Sequence, residues 1–527
     1  MSAPKIRIVK QGLFKWIEME DIRVPEGITE RCTVEHIQKA LNHLPGVRVA
    51  SVEINTTGEY LSPMNMPGFD PMVRNLPDFC NVRIHQETPG GHVAHITVWV
   101  PLKWNGRFIG NGGGGNRTLA LWDAPFPGGI VAIANALRNG FATAVTDAGN
   151  RDERMSAWGL DVRTRELDWE LIRNWAHRSI HDMTVIGKRV TEAIHGYPPL
   201  YSYFQGGSGG GRDGLASAQR YPGDYDGIWS NCPAINWTKF IPAEIWPALV
   251  MKEHKNPMPP AKFEAFRIAV LEACGGSQAI ADNFLSTLDV EFDPYSVVGK
   301  QTEAGVITET DALVMKKIWE GPRTKDGKSL WYGLRPGTES WGNNLMMAGL
   351  CLTAEENGQR NIVPFEIAKD YIGAWLLRDP AWDWTTLTFA QFEELFEHSV
   401  REFAEIATDN PDLSGFRDSG GKLLITHGAN DEVIFSQGTV DYYRRVQEAM
   451  GGPQETASFA RLFVPYGEGH GHILKGPGIS GATGMAALMN WVENGIAPDT
   501  LLAEKFDMST GQVTMTREVK AYHLLSD

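Results

Sequence analysis

At 527 residues, with 42% hydrophobic and 21% charged residues, the chain has the composition of an ordinary globular protein and exceeds the usual size of a single core, so two structural units are expected. A net charge of −15 and the lack of any Lys/Arg cluster interleaved with aromatics exclude nucleic acid as a partner. No run approaches the roughly 20 apolar residues of a membrane span, and charges interrupt MSAPKIRIVKQGLFKWIEME too often for a secretory signal, so a cytoplasmic protein is expected. Five cysteines, Cys32, Cys80, Cys232, Cys274 and Cys351, are too few for a disulfide scaffold and odd in number, which fits the same compartment.

From about Ile84 to Val145, β-rich runs alternate with glycine punctuation: HVAHITVWVPL, GRFIGNGGGGN and NGFATAVTDAGN read as sheet strands. Asp168 to Ile194 has apolar residues at helical spacing and predicts one long helix. A strand then leads into Ser208, followed by another helix, which is the alternation of a parallel α/β sheet. Trp237 to about Val400 breaks that rhythm with helical patches, loops and many tryptophans, and is read as an inserted lid. The α/β pattern resumes with GGKLLITHGANDEV, a helix near Gly438 to Met450, FARLFVPYGEGHGHI and a last helix near Gly484 to Asn494. The expected architecture is thus an α/β-hydrolase sheet with helices on both faces, built from 1–236 and 401–527, with 237–400 as the lid.

Ser208 stands in Gly-x-Ser-x-Gly between an aromatic strand and a helix, and Gly206, Gly207, Gly209 and Gly210 suit the sharp turn that would expose its hydroxyl. A serine hydroxyl is a weak nucleophile at neutral pH, so a histidine must take its proton and a carboxylate must orient that histidine. In this fold the order is Ser, acid, His. Asp431, after the strand LLIT, fits the acid, with Glu432 its nearest rival. His470, in the glycine-rich turn after RLFVPY, fits the base. His427 reads as a satisfied strand-end histidine, and His472 lacks the spacing of a metal site, so neither metal nor cofactor is expected. Gly110 to Gly115 matches a dinucleotide-loop pattern formally, but no acidic residue follows in a second strand, and an oxyanion loop is the better reading. The expected donors are the N–H groups of Gly209 and of Gly113, the latter chosen from Gly112 to Gly114, among which the sequence does not distinguish. Trp237 and Trp341 are candidate walls for an aromatic substrate.

With these residues in view, the chain resembles the tannase and feruloyl esterase family, which also includes mono(2-hydroxyethyl) terephthalate hydrolase. The likeness runs from LPDFCNV and WNGRFIGNGGGGN through YFQGGSGGGRDGL and AQRYPGDYDGI to PDLSGFRDSGGKLLITHGANDEVI, RLFVPYGEGHG and WVENGIAPD. It implies an α/β-hydrolase core with a large lid, hydrolysis of aromatic or phenolic esters, and the roles of nucleophile, acid and base for Ser208, Asp431 and His470. The family's cysteines beside the nucleophile and the histidine are Gly207 and Gly471 here, so the disulfide bracing the two loops is lost. Cys32 and Cys80 match the family's N-terminal pair, whereas the stretch after Cys274 lacks the carboxylates of the family's calcium loop. The expected partner is a small aromatic ester or lactone. The rival reading is a tailoring enzyme that uses the same three residues for lactone opening, C–C hydrolysis or acyl transfer, and a third is a noncatalytic binding protein.

Overall fold

The computed structural model describes residues 5–20, 22–62, 70–116, 127–150, 156–341, 349–470, 476–507 and 509–525. Nine strands form the main sheet: β1 (Val47–Asn55), β2 (Phe79–Glu87), β3 (Val93–Pro101), β4 (Arg107–Asn111), β5 (Ala142–Thr146), β6 (Tyr201–Gly207), β7 (Gly227–Asn231), β8 (Lys422–Thr426) and β9 (Ala460–Phe463). Their spatial order is β9-β8-β7-β6-β4-β5-β3-β2-β1. Strands β4 to β9 run parallel to one another. On the far edge, β3, β2 and β1 join in antiparallel pairing. The helices used below are α1 (Ser179–His195), α2 (Gly209–Arg220), α3 (Trp237–Ala243), α4 (Phe389–Glu402), α5 (Ser436–Ala449) and α6 (Gly481–Asn494).

The parallel strands are apolar on both faces because helices cover both, and successive residues serve opposite cores. Phe108, Phe204, Ile228 and Leu423 pack with Ile180, Met183, Ile186 and Val190 of α1. Their neighbours Ile109, Tyr203, Trp229 and Leu424 pack with Met485, Leu488 and Met489 of α6 on the other side. Helix α1 approaches the sheet so closely that a Cβ on Gly187 would stand 2.7 Å from the Phe108 ring, so the one glycine inside this helix is a packing requirement.

The long helix expected over 168–194 is present but broken. Asp168 caps a first segment, Trp169–Arg173, through its side chain, and Asn174–Arg178 then widens into a π turn before α1 begins. The cause lies outside the helix: the buried Arg212 guanidinium of α2 donates to the carbonyls of Trp175 and Ala176, drawing them off the helical ladder.

Strands β7 and β8 are hydrogen-bonded neighbours, so residues 232–421 leave the sheet and return to the adjacent position. This excursion carries its own aromatic core, and the boundary drawn at 400 falls inside α4. That core reaches back to the catalytic half: Trp375 meets Trp158 edge-on at 5.2 Å and Trp175 at 5.9 Å, and its indole N–H donates to the Ser156 carbonyl. Trp375→Ala is expected to destabilise the protein by about 3–5 kcal/mol, the cost of emptying a buried aromatic site, and chemical denaturation checks it. Among the described residues no helix is long and apolar enough to cross a membrane.

Candidate active site

Strand β6 ends at Ser208, whose backbone lies at φ 59°, ψ −123°, and α2 starts at the next residue. Such a conformation costs an L-residue about 1–3 kcal/mol, and the surroundings must enforce it. They do so through backbone: Ser208 N–H donates to the Asn231 carbonyl at 3.0 Å, and the Ser208 carbonyl accepts from Arg212 and Ala234. Gly206, Gly209 and Gly210 have no space for side chains, whereas Gly207 does. A Cβ on Gly206 would lie 2.4 Å from the Gly210 carbonyl oxygen, and one on Gly210 would lie 2.7 Å from that of Gly113.

The structure brings Ser208, His470 and Asp431 together. Ser208 Oγ lies 3.0 Å from His470 Nε2, and His470 Nδ1 lies 2.8 Å from Asp431 Oδ2. The other carboxylate oxygen, Oδ1, accepts the backbone N–H groups of Val433 and Ile434 at 2.9 and 2.7 Å. Asp431 is fully buried, whereas the His470 side chain keeps 16% of its surface exposed. Burial alone would raise the Asp431 carboxyl, but His470 and His427 outweigh it and hold it below the ordinary range. Burial disfavours the His470 imidazolium, yet the charge and hydrogen bond of Asp431 prevail and raise its pKa. Glu432 is not the acid: its Oε2 accepts the backbone N–H of His470 at 3.1 Å and so fixes the loop that carries the ring.

Sequence reading missed three other buried carboxylic acids here. Glu244 and Glu468 are pushed well up by burial and further by the Asp431 charge, with a backbone N–H pulling Glu468 part of the way down. Asp213 is the third, and it corrects the Gly113 expectation. Gly113 N–H donates to Asp213 Oδ2 at 3.0 Å, so it is committed within the protein and does not face a substrate. Gly112 N–H is likewise taken, by the Gln205 carbonyl. Asp213 also binds Arg212, which lies 3.9 Å above the Trp175 ring; burial pushes the Asp213 carboxyl up to about 6, with Arg212 and Gly113 pulling it down. The signal was available in GGGRDGL, where an acid follows an arginine on the buried face of a helix. Gly209 begins α2, and the first N–H to bond back along the helix is that of Arg212, which leaves the Gly209 N–H without an intrahelical partner.

The tryptophan expectations are corrected as well. Trp237 is 1% exposed and packs on Trp175 at 4.8 Å and Phe240 at 5.5 Å, so it belongs to the core and not to a pocket wall. Trp341 stacks on Phe263 and lines a cavity of about 620 Å³ with Glu264, Arg267, Glu303 and Arg360, and none of Ser208, Asp431 and His470 lines that cavity.

Among the described residues, the one cluster with metal-ligand types is Cys232, Asp431 and His470, which is the same site, and both imidazole nitrogens there are hydrogen-bonded. A Cβ on Gly207 would stand 3.9 Å from the buried Cys232 Sγ, an ordinary contact distance, so this position has room for a side chain. Gly471 and His472 lie outside the described residues. Cys32 and Cys80 are buried thiols in hydrogen-bond contact. In the stretch expected to lack a calcium loop, Asp282 is paired with Arg517 at 2.8 Å.

A parallel sheet that presents a strained serine at a strand–helix turn, bonded to an imidazole and through it to a buried carboxylate, defines a serine hydrolase of the α/β-hydrolase fold. The sequence model described as tannase and feruloyl esterase matches residues 80–525. A protein of Arthroderma benhamiae named a probable feruloyl esterase is 38% identical over 459 residues, covering 85% of this chain and 82% of its own. The chain therefore belongs to the tannase and feruloyl esterase family and is a carboxylic ester hydrolase. Two solved structures share its fold. The tannin acyl hydrolase of Aspergillus niger has a TM-score of 0.77 at 21% identity, covering 95% of this chain and 93% of its own. Feruloyl esterase B of Aspergillus oryzae has a TM-score of 0.75 at 23% identity, covering 94% and 96%.

Proposed function

We propose that this chain hydrolyses esters of phenolic acids through an acyl-enzyme on Ser208. The carrying observation is the continuous hydrogen-bonded chain from Ser208 Oγ through both nitrogens of His470 to Asp431 Oδ2. Ser208 attacks the ester carbonyl while His470 Nε2 takes its proton; the imidazolium then returns that proton to the departing alcohol. Water, deprotonated by the same nitrogen, cleaves the acyl-enzyme and releases the acid. The carbonyl oxygen becomes negative at the start of α2, where the Gly209 N–H and the positive end of the helix stabilise it; one such donor is worth about 3 kcal/mol of barrier. The Asp213 bond to Gly113 shapes this loop in place of serving the oxyanion. The phenolic acyl group follows from the names of the relatives, a feruloyl esterase and a tannin acyl hydrolase.

The test is turnover of methyl ferulate and methyl gallate in ¹⁸O-water. One labelled oxygen is expected in the carboxylic acid product, and added hydroxylamine should divert acyl groups to hydroxamate. Transfer of the acyl group to an alcohol without incorporation of label would favour the tailoring reading. If a fluorophosphonate labelled Ser208 but no phenolic ester turned over, the substrate class would be wrong and the mechanism would stand.

A further inference from the structure

His427 directly follows β8 with no exposed surface, one turn of loop before the acid. Its Nε2 lies 3.1 Å from Asp431 Oδ2 and 3.2 Å from the Ile434 carbonyl oxygen. Its Nδ1 lies 2.8 Å from Thr439 Oγ1 on α5. Two acceptors at Nε2 require a proton there, so in the neutral ring Nδ1 is bare and accepts from the Thr439 hydroxyl. The tautomer is thereby set by Asp431 and the Ile434 carbonyl, and the Thr439 hydroxyl turns to donate to the bare Nδ1. Asp431 accepts four hydrogen bonds in all, and its Oδ2 is shared by two imidazoles, His427 from below and His470 on the substrate side.

Building on the proposed mechanism, we infer that His427 is a positioning residue for Asp431: its Nε2–H fixes the carboxylate rotamer and, by sharing Oδ2 with His470, limits how strongly that oxygen holds the His470 proton. Each hydrogen bond drawn from Oδ2 by His427 is electron density withheld from His470 Nδ1–H. The groups around this pair are Asp431, Glu432, Glu468 and His470 on the two loops, Cys232 after β7, and Glu244 on the lid side. Among them only His470 is required to change charge during turnover. Removing the His427 donor therefore raises the pH at which His470 becomes an unprotonated base.

The experiment is the pH profile of kcat/KM for methyl ferulate, with melting temperature measured in parallel. In His427→Leu the acid-limb midpoint is expected to move up by about half to one pH unit, the worth of one hydrogen bond, with kcat lower by about tenfold. His427→Gln places an amide N–H where Nε2 stood, and its midpoint should return to that of the parent. Thr439→Val removes the hydroxyl that donates to Nδ1, which weakens Nε2–H as a donor to Asp431, and should move the midpoint in the same direction as Leu, by less. A Leu variant with an unmoved midpoint and only a lower melting temperature would overturn the inference. If the Leu variant does not fold, Thr439→Val decides alone: an upward midpoint supports the role and an unchanged one refutes it. Neither result touches the Ser208 mechanism, whose failure would appear as turnover persisting without Ser208.

Discussion

Ser208→Ala is expected to lower kcat on phenolic esters by about 10⁶-fold while leaving fold and melting temperature near those of the parent. The substitution removes one oxygen from a position whose backbone is held by Asn231, Arg212 and Ala234, so those bonds remain, and the strained φ of 59° is borne by alanine as it was by serine. His470 keeps Asp431 but loses its proton donor, and no other described hydroxyl is bonded to its Nε2. The residual rate should be that of water attacking an ester held at the open end of α2. Stopped-flow assay of acid release, with fluorophosphonate labelling as a second readout, checks it: loss of both is the expected result. Turnover within tenfold of the parent would remove Ser208 as the nucleophile.

The parts of this site legible in the sequence are those fixed by local backbone chemistry. Glycines around Ser208 announce a tight turn, and the structure shows the 2.4 Å approach that demands Gly206. Asp431 and His470 follow strands β8 and β9, and the parallel order of the sheet brings both strand ends to the same edge as that of β6, with β7 between. What escaped depends on partners remote in sequence. Gly113 sits in a run of equivalent glycines, and only Asp213, 100 residues on, determines that its N–H is spent. The π turn after Arg173 arises from Arg212 reaching across from another helix, which no periodicity within 168–194 can register. Trp237 shows the limit of residue type: an indole in the lid serves a core or a pocket equally well, and its neighbours Trp175 and Phe240 decide for the core. His427 was read as a satisfied strand-end residue, and satisfied it is; its acceptor being Asp431 gives that satisfaction a consequence.

Asp431→Asn should lower kcat by about 10⁴-fold with little change in KM, because it reverses the hydrogen-bond polarity of the whole chain. The asparagine oxygen will take the place of Oδ1, where the N–H groups of Val433 and Ile434 demand an acceptor. That puts the amide NH₂ where Oδ2 stood, facing both His470 Nδ1 and His427 Nε2. It donates to Nδ1 of His470, which forces the ring proton onto Nε2, and a nitrogen carrying a proton cannot accept one from Ser208. It also confronts the His427 Nε2–H donor to donor, a second penalty that a solvent-exposed acid would escape. The pH dependence of stability follows with its sign. The Asp431 pKa is depressed in the folded state, so the carboxylate stabilises the protein fully above its unfolded pKa of about 3.9 and loses that contribution progressively as pH falls from there through the lower folded value. At pH 7 the variant should therefore be less stable than the parent, and the gap should close on acidification. Steady-state kinetics with denaturant melts at pH 7 and pH 3 test both halves. A variant as active as the parent would show that the proton on His470 does not answer to Asp431.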